Sequence, residues 1–228
     1  MKLTDKINIY HTDCIEFMKA VADNYYDLAI VDPPYGVDIN NQSQGKGGGV
    51  ARKIDYTKKD WDKSAPETIY FNELRRVSKN QIVWGANHFI SRLPLDSSCW
   101  VVWDKDNGEA DFADCELAWT SFKTAVRRFK WTWAGMRQQN MKHKDERIHP
   151  TQKPIQLYEW LLNNYANEND KIIDTHAGSL SIAIAIDKAN LYDKKNLTLD
   201  ACEIDADYYN ESIKRFKKYK QQIVMELG

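Results

Sequence analysis

The sequence lacks three features that mark special classes of protein. Its apolar runs fall far short of the roughly 18 to 20 residues of a membrane span, and its first residues, MKLTDKINIY, lack the apolar core of a signal peptide. Its four cysteines, Cys14, Cys99, Cys115 and Cys202, form no CxxC pair, which argues against a disulfide framework and a zinc knuckle. We therefore expect a cytoplasmic protein with reduced core thiols and no membrane contact.

An excess of charge of one sign is also absent, because the formal net charge is -1. Charge is nevertheless segregated along the chain: residues 121–147 hold eight Lys and Arg against two acids, and residues 45–63 hold six against three. The first of these stretches also contains four aromatic residues, Phe122, Phe129, Trp131 and Trp133. That mixture suits the phosphates and stacked bases of a nucleic acid, with a solvated charged face as the alternative interpretation.

The pattern of apolar residues predicts alternating strands and helices. Strands are predicted at INIYHTD, YYDLAIVDPP, QIVWGANHF, SCWVVWDK, CELAWTSF, DKIID and NLTLDACEID. Helices are predicted at CIEFMKAVAD, PETIYFNELRRVSK, PIQLYEWLLNNYA, SIAIAIDKA and ADYYNESIKRFKKYKQ. This order predicts a single α/β domain over residues 1–228, with a doubly wound, mostly parallel sheet. The glycine-rich segment at about residues 40–60 is predicted to be a long mobile loop that faces DNA.

Acidic residues end three of the predicted strands. In parallel sheets ligands bind at the carboxyl ends of the strands, where Asp32, Asp174 and Glu203 stand. Gly178, between Asp174 and the next helix, allows a close turn that exposes backbone amides, and the Glu203 carboxylate can accept hydrogen bonds from the two hydroxyls of a ribose. Together these residues indicate a nucleoside-containing cofactor, whereas a turn glycine and a solvated glutamate are the plainer interpretation of each alone.

The stretch AIVDPPYGV raises the sharpest chemical question. Two prolines explain a rigid turn after the strand, but not the residues beside them. The residue before a proline is held extended, so the Asp32 carboxylate is aimed beyond the strand end, next to the carbonyl of Pro33. Two acceptors suit an amino group with two hydrogens, and Tyr35 offers a flat surface for a planar ring. An aromatic amine is therefore the predicted ligand.

Four motifs then carry a family resemblance: VDPPYG at residues 31–36, WGANHF at 84–89, ELAWTS at 116–121 and HPTQKP at 149–154. From about residue 7 to about residue 216 the chain resembles the S-adenosylmethionine-dependent DNA amino-methyltransferases of phages and bacteria. It is most similar to their permuted class, in which the catalytic motif precedes the cofactor motif. The resemblance implies a Rossmann-like class I methyltransferase fold with a circularly permuted motif order.

The resemblance also implies roles for individual residues. The target base would be held by Asp32, Pro33, Pro34 and Tyr35. S-adenosylmethionine, with no metal, would be bound by Asp13, Cys14, Thr151, Lys153, Asp174, His176, Ala177, Gly178, Ser179 and Glu203. In this set Asp13 would lie near the adenine of the cofactor, and Lys153 with Thr151 near its amino-acid moiety. The candidate DNA-binding residues are Lys46, Arg52, Lys53, Arg127, Arg128, Lys130, Arg137 and Lys142.

One departure from the family pattern matters. The common cofactor loop reads DPFxGSGT, whereas this chain has DTHAGSLS, with Leu180 where the family has a glycine. Leucine would crowd the cofactor if that position needs a positive backbone angle, so an inactive relative that binds only DNA or cofactor is one alternative to an enzyme. The DPPY form favours the 6-amino group of adenine as the target. The 4-amino group of cytosine, an RNA base and a protein side-chain amide are the competing targets.

Double-stranded DNA is the expected partner, with target recognition at about residues 121–148. The resemblance leaves both a monomer and a homodimer open, and it allows a cognate restriction enzyme. It does not indicate which base sequence is recognised.

Overall fold

The structure is a computed structural model. It describes residues 1–37, 62, 64–93, 96–108, 113–134, 137–142 and 144–227, with side chains described as far as residue 223. The predicted DNA-facing loop at about residues 40–60, including Lys46, Arg52 and Lys53, lies outside the described residues.

The chain divides into two compact units. Unit 1 comprises Met1–Asp32, Asn72–Ile82 and Glu146–Gly228, and unit 2 comprises Pro33–Phe71 and Val83–Asp145. The DPPY motif therefore crosses the boundary in sequence, since Asp32 ends a segment of unit 1 and Pro33 begins a segment of unit 2. The expectation of a single domain stays a prediction.

Unit 1 contains a parallel sheet with helices. Its strands are β1 (Ile7–His11), β2 (Tyr26–Val31), β9 (Lys171–Asp174) and β10 (Thr198–Glu203), and its helices are α1 (Cys14–Lys19), α3 (Ile155–Tyr165), α4 (Ser181–Tyr192) and α5 (Ala206–Leu227). The strand order is β1-β10-β9-β2, with every neighbouring pair parallel. The last four residues of β2 are all buried, as expected of a strand covered on both faces.

The helices of unit 1 are buried to different extents, as α4 and α3 show. Helix α4 begins SIAIAI, and these six residues are all buried, so this helix lies in the core. Helix α3 begins after Pro154, which occupies the N-cap, and it buries Leu157, Leu161 and Leu162. Full burial of a Leu or Ile side chain contributes about 1.5 to 3 kcal/mol of transfer free energy, so the core under these helices contributes substantially to the stability of unit 1.

Two elements cross from one unit to the other along the chain: α2 (Thr68–Val77) and β3 (Ser78–Trp84). The remaining strands lie in unit 2: β4 (Trp100–Asp104), β5 (Cys115–Thr120), β6 (Arg127–Lys130), β7 (Trp133–Ala134) and β8 (Arg137–Gln138). Strand β4 pairs antiparallel with β5 and parallel with β6, while β7 and β8 form a separate antiparallel pair. Two short 3-10 helices, Ala86–His88 and Ile90–Arg92, follow β3.

The predicted α/β class with a mostly parallel sheet is confirmed: in the eight-stranded sheet β1 with β10, β10 with β9, β9 with β2 and β4 with β6 pair in parallel, and β4 with β5 pairs antiparallel. The regular alternation of strand and helix is wrong for unit 2, where β4, β5 and β6 follow one another with no α-helix among the described residues between them. A direct connection between paired neighbours suits antiparallel strands, which explains the reversal at β5. The strands β6, β7 and β8 are not predicted from the sequence.

Two further expectations can be compared with the structure. All four cysteines lie among the described residues and are free, but only Cys99 and Cys202 are buried. The expectation of core thiols is therefore wrong for the exposed Cys115, because β5 begins outside the core. Among the described residues, no helix has the length and apolar character of a membrane span.

Candidate cofactor and catalytic site

Three acids end strands that are neighbours in unit 1. Asp32 directly follows β2, Asp174 is the last residue of β9, and Glu203 is the last residue of β10. Because the three strands are parallel and adjacent in the order β10-β9-β2, their carboxyl ends share one edge of the sheet. The three acids therefore lie at the ends of neighbouring strands, as the sequence predicts.

The loop between β9 and α4 is tied to β10 by hydrogen bonds. The backbone N–H of Gly178 donates to Glu203 Oε2 at 2.8 Å, and the N–H of Ala177 donates to the carbonyl of Cys202 at 2.8 Å. Gly178 has φ +50°, a conformation that glycine adopts readily. The start of the loop is thus fixed to β10, the neighbour of β9 in the sheet.

Glu203 is buried and bound on both carboxylate oxygens. Besides Gly178 it accepts from the N–H of Asp205 at 2.9 Å, through Oε1. Burial raises the pKa of Glu203, and the two backbone donors oppose that rise. A carboxylate has about four lone-pair positions, so two backbone bonds leave acceptor capacity for the hydroxyls of a ribose.

Asp174 is a buried acid whose pKa is strongly raised. Its side chain accepts from the backbone N–H of His176 at 3.0 Å, and the residue is only 2% exposed. The pKa of Asp174 is raised to about 7, mainly by burial and also by the charges of Asp32 and Glu203, while the hydrogen bond from His176 and the charge of Lys153 oppose the rise. Asp174 therefore titrates near neutral pH.

His176 is a neutral, packed residue. Its Nδ1 lies 2.9 Å from the hydroxyl of Thr175. Burial lowers the pKa of His176 to about 4, and the charge of Asp13 only partly opposes this. At neutral pH the ring is uncharged, which fits a packing role in the loop.

Asp13 and Cys14 lie at the start of α1. The Asp13 carboxylate caps this helix by accepting from the N–H groups of Ile15 at 2.8 Å and Glu16 at 3.1 Å. Burial raises the pKa of Cys14 to about 12, with a further rise from Asp13 and Glu203, so the thiol stays protonated. Asp13 itself is exposed and remains accessible for a ligand.

The HPTQKP motif leads into α3, and two of its side chains, those of Thr151 and Lys153, make polar contacts near the strand ends. Thr151 bonds through its hydroxyl to His149 Nδ1 at 3.1 Å, and Lys153 forms an ion pair with Asp32, with 2.6 Å between Nζ and Oδ2. The His149 ring lies 4.0 Å from the point where a side-chain carbon would start at Gly178. The motif is therefore placed against the loop after β9, in agreement with a shared ligand.

Serines at the start of α4 connect this motif with the C-terminal helix. The Ser181 hydroxyl donates to the carbonyl of Lys153 at 2.9 Å and lies 3.1 Å from the Ser179 hydroxyl. The guanidinium of Arg215, on α5, donates to the carbonyl of Ser179 at 2.7 Å and to the Ser181 hydroxyl at 3.2 Å. Arg215 supports the loop from outside the four motifs, and no local sequence signal marks it.

Leu180 adopts the positive backbone angle that its position demands. Its φ is +57°, it occupies the N-cap of α4, and its side chain is fully buried. A non-glycine residue pays roughly 1 to 2 kcal/mol in this conformation. Its side chain is packed inside unit 1 and forms no part of the exposed surface at the strand ends.

In unit 2 the remainder of the DPPY motif forms a supported aromatic platform. Asp62 accepts from the backbone N–H groups of Tyr35 at 2.8 Å and Gly36 at 3.0 Å, and the His88 ring stacks on the Tyr35 ring with centroids 4.9 Å apart and planes 14° apart. Pro33 is buried and Pro34 half-buried, and no peptide bond among the described residues is cis.

Gly85 fixes the position of the Tyr35 ring. A Cβ atom at Gly85 would stand 2.0 Å from Cε1 of Tyr35, and Gly85 also has φ +70°. The glycine of WGANHF is therefore required by close approach as well as by backbone angle. The sequence analysis identifies the WGANHF motif but does not predict Gly85 or His88 as site residues. Asp62 is not predicted either, because it belongs to none of the four motifs.

The candidate DNA-binding residues of unit 2 that the structure describes are exposed, but part of the predicted aromatic surface is not. Arg127, Arg128 and Lys130 are all exposed on β6, as are Arg137 and Lys142 farther along the chain. Phe129 and Trp133, in contrast, are only 9% and 6% exposed. Two of the four aromatic residues that suited stacked bases, Phe129 and Trp133, therefore present little surface to a base.

The chain is similar to known DNA methyltransferases. A family model described as "DNA methylase", for N6 and N4 methyltransferases, matches residues 105–214. The type II methyltransferase M2.MboI of Moraxella bovis is 24% identical over 218 residues, covering 78% of each chain. The resemblance to the DNA amino-methyltransferases is confirmed.

Solved structures support the fold. M1.HpyAVI in complex with SAM is 20% identical, with a TM-score of 0.54 over 92% of this chain and 98% of that one. The cytosine-N4-specific PvuII DNA methyltransferase is 12% identical, with a TM-score of 0.58 over 96% and 91% of the two chains. At these identities the likeness concerns the fold alone, and it confirms the Rossmann-like class I architecture.

Proposed function

We propose that the chain is a site-specific DNA methyltransferase that transfers a methyl group from S-adenosylmethionine to the 6-amino group of a flipped adenine. The observation that carries the proposal is the edge of the unit 1 sheet, where Asp32, the acid of DPPY, follows β2 beside the strands that end in Asp174 and Glu203. A catalytic acid and two cofactor-type acids at one strand edge suit a reaction between a bound amine and a nucleoside-containing cofactor.

The residues present fit this cofactor. Glu203 is fixed by Gly178 and Asp205 with acceptor capacity left for ribose hydroxyls, and Asp13 is exposed at the start of α1. S-adenosylmethionine, when bound, supplies a methyl group on a positively charged sulfur. Asp174, Ala177 and Ser179 would line its loop, and among the described residues no cluster of His, Cys, Asp or Glu could hold a metal ion.

The proposed chemistry follows from the weakness of the nucleophile. The lone pair of an exocyclic amine is drawn into the aromatic ring, so the nitrogen attacks poorly. Asp32 and the Pro33 carbonyl accept its two hydrogens, which favours a tetrahedral nitrogen with its lone pair available for in-line attack. These fixed acceptors also stabilise the positive charge that the amine gains in the transition state. The carbon–sulfur bond breaks as the carbon–nitrogen bond forms, S-adenosylhomocysteine leaves, and the methylated amine loses one proton to solvent. No covalent intermediate with the protein is required.

The base must leave the DNA stack to reach Asp32. The flipped base would stack on the ring of Tyr35. The contacts of Tyr35 with Asp62 and His88 within unit 2 favour a stacking surface that is formed before the base arrives. The exposed Arg127, Arg128, Lys130, Arg137 and Lys142 would contact DNA phosphates, with target recognition in residues 121–148.

Adenine is favoured by the DPPY form of the motif, and the 4-amino group of cytosine is the second candidate, because the matched family model covers N6 and N4 enzymes. Leu180 supports an active enzyme, since its side chain is packed in the protein interior instead of in the exposed part of the loop. An amide or RNA methyltransferase has no such support.

The test is expression in a methylation-deficient bacterial host, followed by methylome sequencing. We expect 6-methyladenine at one recurrent sequence, with none in the host that carries an empty vector. Modification of cytosine at N4 would select the second candidate. If DNA stays unmodified while the purified protein binds S-adenosylmethionine in calorimetry, the chain is an inactive relative and the proposal fails.

A further inference from the structure

The closest pairing of opposite charges in the proposed site is that of Lys153 with Asp32. The ammonium Nζ lies 2.6 Å from Oδ2 of the carboxylate, and the side chains are 3% and 18% exposed. A charge with so little access to water needs a partner in the protein, so Lys153 is held at Asp32 by its own burial as well as by attraction.

The backbone of Lys153 is anchored independently of this ion pair. Its carbonyl accepts from the Ser181 hydroxyl at 2.9 Å, and Ser181 in turn accepts from Arg215 at 3.2 Å. The next residue, Pro154, caps α3 with an extended backbone. Lys153 therefore approaches Asp32 from a fixed point between α3 and α4, and a fixed ammonium constrains where the carboxylate can lie.

Asp32 needs such a counter-charge because it shares its edge of the sheet with other acids. The charges of Asp32 and Glu203 both raise the pKa of Asp174, so each of these carboxylates is near enough to Asp174 for the two charges to repel. Repulsion between carboxylates favours protonation of one of them, and a protonated Asp32 would lose acceptor strength toward an amine. Lys153 is the ammonium that counters this repulsion.

We propose that Lys153 is a positioning residue, which keeps the Asp32 carboxylate ionised and aimed to accept a hydrogen of the target amine. The proposal rests on the proposed methyltransferase function. It goes beyond the family resemblance, which implies only a place near the amino-acid moiety of the cofactor, because the contact seen in unit 1 is with the catalytic acid.

The decisive experiment compares Lys153→Met with Lys153→Arg at the DNA site found by methylome sequencing. Single-turnover rates are measured with both substrates saturating, and S-adenosylmethionine binding is measured by calorimetry. We expect Lys153→Met to lower the rate by about 100-fold, the usual cost of a small misplacement of a reacting group, with cofactor affinity near that of the wild type. Lys153→Arg, which keeps the charge, should restore most of the rate.

Two results would overturn this role. If Lys153→Met weakens cofactor binding while the saturated rate is unchanged, Lys153 is only a cofactor ligand. If Lys153→Arg is as slow as Lys153→Met while both bind cofactor and DNA, the charge is not what matters. An inactive wild-type protein would instead defeat the proposed function itself, so the two failures are distinguishable.

A stability measurement covers the case in which Lys153→Met folds poorly. Asp32→Asn and Lys153→Met each break the ion pair and keep the other charge in a site with little access to water, so each should lower the Tm. The double variant removes both charges and should melt above either single variant. A double variant that melts at the temperature expected from adding the two losses would show that the pair does not interact, and the positioning role would fall with it.

Discussion

The acid cluster of unit 1 and strand β6 of unit 2 carry their charges in opposite ways. In unit 1, Lys153 and Asp32 form a short, mostly buried ion pair, and Asp174 and Glu203 are buried beside them in the sheet order. In unit 2 the cations of β6 are exposed: Lys130 pairs with Asp106 at 2.9 Å, and Arg128 approaches Asp104 only to 3.8 Å. Exposed pairs contribute little, whereas buried charges are costly when one partner is lost.

This difference separates two kinds of function. A buried cluster can shift pKa values and fix one carboxylate, which suits chemistry at a single atom. Exposed cations act together at longer range and are weakened by salt, which suits phosphates along a DNA backbone. Single substitutions should therefore have large, local effects in the unit 1 site and small, additive effects on β6.

The largest expected effect comes from the buried acid Asp174. Its pKa is about 7 in the folded protein against 3.8 for the ordinary group, so the folded state holds its proton more tightly. Its contribution to stability is therefore fully present below pH 3.8 and is lost as the pH rises toward 7. Asp174→Asn should remove this loss and be more stable above pH 7, by up to about 4 kcal/mol.

Denaturant unfolding of the wild type and of Asp174→Asn at about pH 4 to 8 measures this difference. The free energy of unfolding in water is obtained at each pH by linear extrapolation to zero denaturant. The wild-type curve should fall more steeply than that of Asp174→Asn. Parallel curves would mean that burial does not perturb Asp174, and the contrast between the units would lose its main support.

The next largest effect concerns Asp32→Ala. Loss of one preorganised acceptor should lower the methylation rate at least about 100-fold, while S-adenosylmethionine binding persists through Glu203 and the loop after β9. Asp27→Ala is a matched control, since Asp27 lies on the same strand β2 and its partners are Lys79 and the backbone of Lys171. Near-normal methylation by folded Asp32→Ala protein would leave DPPY as a rigid turn only.

In unit 2 the corresponding test is Gly85→Ala. The added methyl group would start 2.0 Å from Cε1 of Tyr35, so the ring must move. A stacking surface contributes roughly 1 to 3 kcal/mol per base, so we expect the methylation rate to fall about 10- to 100-fold. Gly108→Ala is the control, because Gly108 has a similar φ of +68° but no atom within 4 Å of the new carbon. Equal rates for the two variants would show that the Tyr35 position is unimportant.

The sequence predicts unit 1 better than unit 2 for a physical reason. Strands such as β2 and helices such as α4 are long and strongly apolar, so their type and their ends could be predicted, and with them the places of Asp32, Asp174 and Glu203. The strands β7 and β8 have two residues each, too short for any periodicity. They arise from pairing that a local pattern does not encode.

Contacts between distant segments account for the rest of the site. The ion pair of Lys153 with Asp32, the support of Tyr35 by Asp62 and the reach of Arg215 to Ser179 each join residues from separate parts of the chain. Motifs indicated Asp32, Tyr35 and Lys153 individually. Which side chain bonds to which follows from the tertiary fold, because an isolated lysine is equally suited to a cofactor carboxylate or to an aspartate.

A smaller effect is expected on the exposed strand β6. Reversal of charge at Arg127, Arg128 and Lys130 to glutamate should weaken DNA binding and reduce the slope of its salt dependence by about 3, if each side chain contacts one phosphate. S-adenosylmethionine binding should not change. Reversal of Lys2, Lys19 and Lys214, exposed in unit 1, makes the same change in net charge and is the control. Equal salt slopes for the two triple variants would make β6 a solvated face.

The smallest expected effect is at Leu180, where burial and backbone strain oppose each other. Leu180→Ala and Leu180→Gly both lose a fully buried side chain, but only glycine relieves the φ of +57°. Glycine should therefore be more stable than alanine here, by about 1 kcal/mol.

Ala183, three residues later in α4 and also fully buried, gives the matched comparison. Inside a helix glycine is worse than alanine by about 0.5 to 1 kcal/mol, so Ala183→Gly should lower the free energy of unfolding. The preference for glycine over alanine is thus expected to change sign between the N-cap and the first turn of one helix. Unfolding by denaturant measures it at both positions. If the alanine form is the more stable one at both positions 180 and 183, the loop relaxes away from the left-handed conformation when Leu180 is replaced. The buried leucine itself would then hold the start of α4 in place.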